Sequence, residues 1–175
     1  SNEEFEPLVS DPDAHYAKVY EFDISNIEPQ VVMSGNRYTV RPVSEVAEIK
    51  IDKGMIGTEC NGWVADIRMA AEILEGRKIH NDVIMDVVPG SMSILQDAVK
   101  KGYISTILAA ECVMHVPGTD KNTPLGADEA GIMTAATNPP GRKGNVVGAK
   151  VYLAAPYTVA ASCLAGKITD PRKYL

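Results

Sequence analysis

Residues 49–76 read IKIDKGMIGTECNGWVADIRMAAEILEG, and this stretch decides the fold. Ile49–Gly57 is predicted to be a strand that leads into a glycine-bounded loop. Val64–Leu74 then has apolar residues at positions 64, 67, 70, 71 and 74, which is the spacing of an amphipathic helix that Gly76 ends. A strand, a polar loop and a helix in succession predict one unit of an α/β domain.

The same alternation continues to the end of the chain. Strands are predicted at Val83–Val88, Tyr103–Leu108, Ile132–Ala136 and Val146–Ala154, and helices at Met92–Lys101 and Tyr157–Ala165. Ser91 is suited to the N-cap of the first of these helices, and Pro156 to the first turn of the second. The pattern therefore predicts an α/β domain with a largely parallel sheet.

The first 48 residues lack this alternation. They favour an extended segment packed on the domain, with a half-buried strand at Tyr20–Ile24 and no helix start near Pro29. We expect residues 49–175 to form the α/β domain and residues 1–175 to be a single structural unit.

Composition excludes several classes of protein. The 175 residues carry 17 Lys and Arg against 23 Asp and Glu, a net charge of −6 that disfavours non-specific nucleic-acid binding. The longest uncharged run, residues 151–166, is too short to span a membrane. Three widely spaced cysteines are no disulfide framework and fit reduced thiols, so we expect a cytoplasmic protein.

Polar loops follow three of the predicted strands, at residues 57–63, 117–128 and 137–144. In a parallel sheet, ligands usually bind at the loops that leave the carboxyl ends of the strands. We therefore expect the functional residues in these three loops.

These loops carry motifs in an order that resembles a known family. The motifs are Ile56-Gly57-Thr58-Glu59-Cys60-Asn61, Glu75-Gly76-Arg77-Lys78-Ile79, Val87-Val88-Pro89-Gly90-Ser91, Val116-Pro117-Gly118 and Gly141-Arg142-Lys143-Gly144. With the small-residue helix at residues 155–166, they resemble the third domain of the aconitase superfamily, nearest to the C-terminal part of 3-isopropylmalate dehydratase large subunits. The resemblance covers almost the whole chain and implies a three-layer α/β/α domain.

The resemblance also implies a chemistry. Family enzymes are hydro-lyases acting on hydroxy di- or tricarboxylic acids, and three cysteines hold a [4Fe-4S] cluster whose open iron acts as a Lewis acid. Their active site lies between domains, so the implied partners are the remaining large-subunit domains and a small swivelling subunit or domain. We expect this chain to be one domain separated from the rest, and inactive alone.

This sequence departs from the family at the cluster positions. Gapless alignment places Glu59 at the first cysteine, with Cys60 one residue later. Thr119 and Pro124 stand where the family has its other two cysteines. One thiolate cannot hold a cubane cluster, so we predict that this chain has no cluster and no metal.

The substrate loop is two residues shorter than in the family and lacks the first of two arginines. Asn138 and Arg142 keep their family positions, so the resemblance implies that they bind a substrate carboxylate. Arg142 has a second interpretation, as a solvated loop arginine beside Lys143.

Other candidate residues have more than one interpretation. For Cys60 the interpretations are a residual metal ligand, a reactive thiol and an inert cysteine that is buried or half-buried, and we expect the last. Cys112 and Cys163 are predicted to pack in the core. A second interpretation is that Cys60, Cys112 and His115 together bind a single zinc ion. Glu59 is either a general acid or base, or a solvated acid near a helix start.

Two functional hypotheses follow. The first is a domain of an aconitase-like or 3-isopropylmalate dehydratase-like hydro-lyase. The second is a degenerate, non-catalytic relative that binds a small carboxylic acid or a protein partner. Neither hypothesis involves nucleic acid or a membrane.

Overall fold

The computed structural model describes residues 6–35, 38–58, 60–118, 124–136 and 147–175. The strands in this part of the chain are β1 (Gln30–Val32), β2 (Val40–Pro42), β3 (Lys53–Gly57), β4 (Ile84–Val88), β5 (Val113–Met114), β6 (Ala130–Met133) and β7 (Lys150–Ala154). The helices are α1 (Val43–Val46), α2 (Val64–Leu74), α3 (Met92–Lys100), α4 (Tyr103–Ala109) and α5 (Pro156–Ala165), followed by a 3₁₀ turn at Pro171–Lys173.

The described strands form a single sheet in the order β2-β1-β7-β6-β3-β4-β5. β3 to β7 run parallel to one another, and β1 pairs antiparallel with both β2 and β7. The predicted α/β class with a largely parallel sheet is confirmed. Parallel strands need crossover connections, and α2 provides the one between β3 and β4.

The helices cover one face of the sheet. Buried residues of α2, α4 and α5 join Ile56 of β3 and Met85 of β4 in the main hydrophobic core. The opposite face carries a smaller apolar cluster, and its buried members are Met55, Leu125, Met133, Ala135, Val151 and Leu153. The resemblance implies three layers. The described residues form the sheet, a helical layer on one face and a thinner layer on the other face, to which the loop residue Leu125 contributes.

Helix ends follow the sequence signals closely. α2 has the predicted bounds, and Gly76 follows it with the left-handed φ of +68°. The Ser91 hydroxyl accepts a hydrogen bond from the Ile94 amide at 3.2 Å, which confirms the predicted N-cap of α3. Pro156 begins α5, as predicted from its fixed φ.

The strand predicted at Tyr103–Leu108 is wrong, because this segment is helix α4. Gly102 has a φ of +80°, which lets the chain turn directly from α3 into α4. Ile104 and Ile107 are buried on one side of α4, which is helical spacing. Periodicity cannot distinguish a buried strand from a helix in so short an apolar run, and the strand comes later, at Val113–Met114.

The strand predicted at Tyr20–Ile24 is also wrong. These residues form no strand, and the side chains of Tyr20, Phe22 and Ile24 are exposed. Residues 6–27 are extended and almost entirely exposed, whereas residues 28–48 supply β1, β2 and α1. An alternating pattern forms a strand only where a neighbouring edge offers hydrogen bonds, and the described residues offer none there.

The central strand begins later than predicted. Ile49 and Ile51 precede β3 and instead bond across to Gly166 and Ile168, at the end of α5. This contact joins the chain before β3 to the last helix. The segment after it, β3, then lies between β6 and β4.

Contact between β3 and α5 depends on Gly54, which has no side chain. A Cβ atom on Gly54 would lie 2.1 Å from the Cys163 Sγ atom of α5. Cys163 is fully buried, so its sulfur cannot move away into solvent. Gly54 therefore allows α5 to pack against the centre of the sheet.

We predict that Gly54→Ala destabilises the protein by about 1–3 kcal/mol because the new methyl overlaps the Cys163 sulfur. Urea unfolding measures the loss. Gly126→Ala is the matched control, because its Cβ would meet only Glu129 atoms at 3.6 Å or more. The double variant Gly54→Ala, Cys163→Ala should recover part of the loss, and a Gly54→Ala protein as stable as the parent would contradict this packing.

Candidate functional site

The sheet order reverses between β3 and β6, and we call the edge of the sheet beyond the carboxyl ends of these two strands the crevice. The chain runs from β3 to β4 and β5 on one side, then crosses to β6 and β7 on the other. Ligands in such sheets bind at the carboxyl ends of the strands where this reversal occurs. The loop that follows β3, residues 58–63, and the residues that follow β6, from Thr134 onward, are therefore the primary candidate site.

Close backbone contact holds the loop after β3 in place. A Cβ on Gly57 would lie 1.9 Å from the Val88 carbonyl oxygen, and one on Gly62 would lie 2.4 Å from the same atom. Thr58 is buried and has a φ of +70°, an unfavourable conformation for a β-branched residue that costs on the order of 1–3 kcal/mol. Its amide donates to the Val88 carbonyl at 3.1 Å, so contacts with β4 compensate for that strain.

Thr134 joins the two sides of the crevice. Its buried hydroxyl accepts a hydrogen bond from the Gly57 amide at 3.0 Å. The Asn61 side-chain amide donates to the Thr134 carbonyl. These two bonds connect the loop after β3 directly to the residue that follows β6.

Trp63 connects this loop to the start of α2. Its amide donates to the Asp66 carboxylate at 3.0 Å, and its indole nitrogen donates to the Cys60 carbonyl at 3.3 Å. Burial raises the pKa of Asp66, and the hydrogen bond from Trp63 opposes that rise. These two bonds hold the Asn61-Gly62-Trp63 turn against the start of α2, although 60% of Trp63 is exposed.

The cysteines lie in three different environments and remain as thiols. Cys112 and Cys163 are buried, as predicted, whereas Cys60 is exposed, so the expected burial of Cys60 is wrong. Cys60 lies in the loop beyond β3, where no strand or helix covers it. Burial raises the pKa of Cys112 to about 12 and that of Cys163 well above its usual range.

These thiols do not fit a [4Fe-4S] cluster. Such a cluster needs several thiolates converging on one site. Cys163 is fully buried in α5 against Gly54, and the thiol of Cys112 stays protonated at neutral pH. Cys60 is the one exposed cysteine of the three, and a single thiolate is too few.

Pro124, the third aligned cluster position, is found at the other end of β3. Its carbonyl accepts a hydrogen bond from Lys53 Nζ at 2.5 Å, and Lys53 is the first residue of β3. Cys60 follows the opposite end of that strand, whose first and last residues, Lys53 and Gly57, are about 13 Å apart. Lys53 also forms a salt bridge with Glu129 at 2.9 Å. These two contacts of Lys53 hold the segment between Pro124 and Glu129 at the start of β3.

Four predicted site residues lie outside the described residues, namely Glu59, Thr119, Asn138 and Arg142. The predicted polar loop at residues 137–144 lies there as well. Their proposed roles stay predictions.

The structure does not bring together Cys60, Cys112 and His115, the residues considered for a zinc site. Cys112 precedes β5 and is buried, His115 follows β5, and Cys60 follows β3. Within the described ranges, no three His, Cys, Asp or Glu side chains come together as a metal-binding group.

Sequence analysis missed one polar pair. His115 Nε2 lies 2.6 Å from Asp86 Oδ1, and both side chains are largely buried. Asp86 interrupts the otherwise apolar strand β4, and a charged residue in a buried strand was the available signal.

Comparison with known proteins identifies related sequences over almost the whole chain. Residues 34–166 match the profile of the Aconitase family (aconitate hydratase). The probable methanogen homoaconitase large subunit of Methanosarcina mazei is 40% identical over 174 residues, covering 97% of this chain and 44% of the relative. The 3-isopropylmalate dehydratase large subunit of Halothermothrix orenii is 38% identical over 177 residues, covering 98% of this chain and 42% of the relative.

A third relative, 3-isopropylmalate dehydratase large subunit 1 of Methanopyrus kandleri, is 38% identical over 97% of this chain and 41% of its own length. The chain thus spans about two fifths of the length of these relatives. Separately, none of the helices in the described residues has the length and apolar character needed to cross a bilayer.

We predict that a thiol reagent at pH 8 modifies Cys60 alone in the folded protein. Cys112 and Cys163 are buried and their pKa values are raised, so their thiolate populations are negligible at that pH. Intact-mass spectrometry should give one label per chain, and three after unfolding in urea. Cys60→Ser should give none when folded, and rapid labelling of Cys112 in the native protein would contradict the described burial.

Proposed function

Because the chain belongs to the aconitase family, we propose that it forms one domain of a hydro-lyase acting on hydroxy di- or tricarboxylic acids. The observation that carries this proposal is similarity over nearly the whole chain to large subunits of homoaconitase and 3-isopropylmalate dehydratase type. The crevice between β3 and β6 supports it, because its position suits a small ligand.

Substrate carboxylates are proposed to bind to Asn138 and Arg142. Both residues belong to the segment that follows β6 in sequence, and β6 borders the crevice. An arginine guanidinium offers paired N–H donors that match a carboxylate, and an asparagine amide can donate to a second oxygen. Thr134, which begins this segment, is bonded to the loop after β3 and would anchor it beside the ligand.

We further propose that this chain binds no [4Fe-4S] cluster. The sequence has Glu59, Thr119 and Pro124 at the aligned cysteine positions, and two of its three cysteines are buried thiols. Soft thiolate ligands are what selects iron–sulfur clusters over other metals, and the chain does not provide them as a set.

The proposed partners are the remaining large-subunit domains and a small subunit. This follows from the names of the relatives, which are large subunits, and from their greater length. A cytoplasmic location is proposed as well, because reducing compartments maintain cysteines as thiols.

The cysteine replacements favour a second candidate function. A domain that retains the fold and the carboxylate-binding segment without cluster ligands would suit a non-catalytic relative that binds a small carboxylic acid or a protein partner. Assaying the complete large subunit with its small subunit separates the candidates. Dehydration of a hydroxy acid supports the first, and ligand binding without turnover supports the second.

We predict that the chain remains colourless after anaerobic reconstitution with iron and sulfide. Without three converging thiolates, no broad absorbance should develop near about 400 nm, the usual range for iron–sulfur charge transfer. Bound iron and sulfide are measured after desalting, with a known [4Fe-4S] protein treated in parallel. Stoichiometric iron together with that absorbance would refute the proposed loss of the cluster.

We also predict that the purified chain does not dehydrate isopropylmalate, citrate or homocitrate. The chain spans about two fifths of its relatives, so most of a site shared between domains would be absent. Unsaturated acid product is quantified by chromatography after prolonged incubation. Product formed in proportion to the chain concentration would show that this domain is sufficient for catalysis.

A further inference from the structure

A buried carboxylate and an imidazole form a pair that the crevice does not include. Asp86 lies on β4 and His115 directly follows β5, with 2.6 Å between Asp86 Oδ1 and His115 Nε2. The Asp86 side chain is 8% exposed and that of His115 is 17% exposed. Burial of a charged carboxylate is unfavourable unless it is paired, so the two groups depend on each other.

Strand register brings the two side chains to one face of the sheet. Asp86 pairs with Val113, and His115 is two residues beyond Val113 on the same side of the pleat. The His115 amide donates to the Val87 carbonyl at 3.0 Å, which continues the β4–β5 pairing past the last strand residue. Asp86 also pairs with Met55, so this face is the one opposite the helices.

The pair leaves one imidazole nitrogen available. Nε2–H donates to the Asp86 carboxylate oxygen, so Nδ1 is the remaining polar atom of the imidazole. Among the described residues, none forms a hydrogen bond with His115 Nδ1. The imidazole is also the more exposed member of the pair, so an incoming molecule meets His115 rather than Asp86.

The pair lies at the same edge of the sheet as the candidate site. His115 is followed by Val116, Pro117 and Gly118, and the Gly118 amide donates to the Pro89 carbonyl at 2.9 Å. The segments that follow β4 and β5 are therefore hydrogen-bonded to each other immediately beyond the pair. Parallel strands present their carboxyl ends at one edge, which is the ligand-binding edge of such sheets.

We propose that His115, held by Asp86, is a binding group for the hydroxyl of a small hydroxy acid. The Nδ1 lone pair accepts a hydrogen bond from that hydroxyl while Nε2–H donates to Asp86. This inference rests on the proposed function, since it takes hydroxy di- or tricarboxylic acids as the ligand class, and it adds a group that the family resemblance did not indicate.

Two other roles for the pair make different predictions. A metal site would need further ligands, and the described residues provide no group of three around it. A purely structural pair would leave the His115 resonances unchanged whatever the ligand. A ligand-dependent change at His115 Nδ1 is therefore the property that distinguishes a binding group.

The test uses ¹⁵N nuclear magnetic resonance of the three histidines, His15, His80 and His115. Citrate or malate, added at neutral pH, should shift the Nδ1 resonance of His115, because Nδ1 gains a hydrogen-bond donor, and leave His15 and His80 unchanged. His115→Gln and Asp86→Asn should each weaken citrate binding by about 3- to 10-fold, as loss of one hydrogen bond predicts. His80→Gln, an exposed histidine, is the matched control and should bind as the parent does.

The fluorescence of Trp63, the only tryptophan, and the unfolding temperature establish that each variant is folded. Should Asp86→Asn fail to fold, His115→Gln and the spectra of the unmodified chain decide the matter. The inference is overturned if neither acid binds, or if citrate binds while the His115 resonances stay unchanged. A complete enzyme that dehydrates hydroxy acids with an unresponsive His115 would overturn this inference alone, whereas a responsive His115 in an inactive enzyme would overturn the hydro-lyase proposal alone.

Discussion

Backbone contact at the central strand is the constraint on which the rest of the structure depends. β3 meets α5 at Gly54, where a side chain would overlap the Cys163 sulfur, and it meets the end of β4 at Gly57, where a side chain would overlap the Val88 carbonyl. Both contacts are close because the side chains are absent. The helical layer can therefore pack against the sheet, and the loop after β3 can fold over the end of β4.

The loop after β3 is shaped by this constraint more than by its own sequence. Thr58 accepts a left-handed φ because its amide bonds to Val88 and its side chain is buried. Asn61 and Gly57 both bond to Thr134, across the crevice. The described residues of this loop, which the resemblance identifies as a cluster loop, are thus held by hydrogen bonds to Thr134 and Val88 that involve no thiol.

Sequence periodicity predicted the fold class because it reports which faces are buried. It identified α2, α3 and α5 and the parallel strands other than β5, and apolar spacing agrees there with end signals such as Gly76 and Ser91. It failed at Tyr103–Leu108, where a short apolar run suits either element and Gly102 allows a second helix. It failed again at Tyr20–Ile24, since strand formation requires a neighbour that no local pattern reveals.

The sequence by itself determined the α/β class, the family resemblance and the absence of thiols at positions 59, 119 and 124, because each depends on residue identity and spacing along the chain. Tertiary structure alone decided that Cys60 is exposed while Cys112 and Cys163 are buried, that Pro124 lies beside Lys53, and that Asp86 meets His115. The physical reason is that burial and pairing depend on which segments lie side by side. Asp86 and His115 are 29 residues apart in sequence and become neighbours only when β5 pairs with β4.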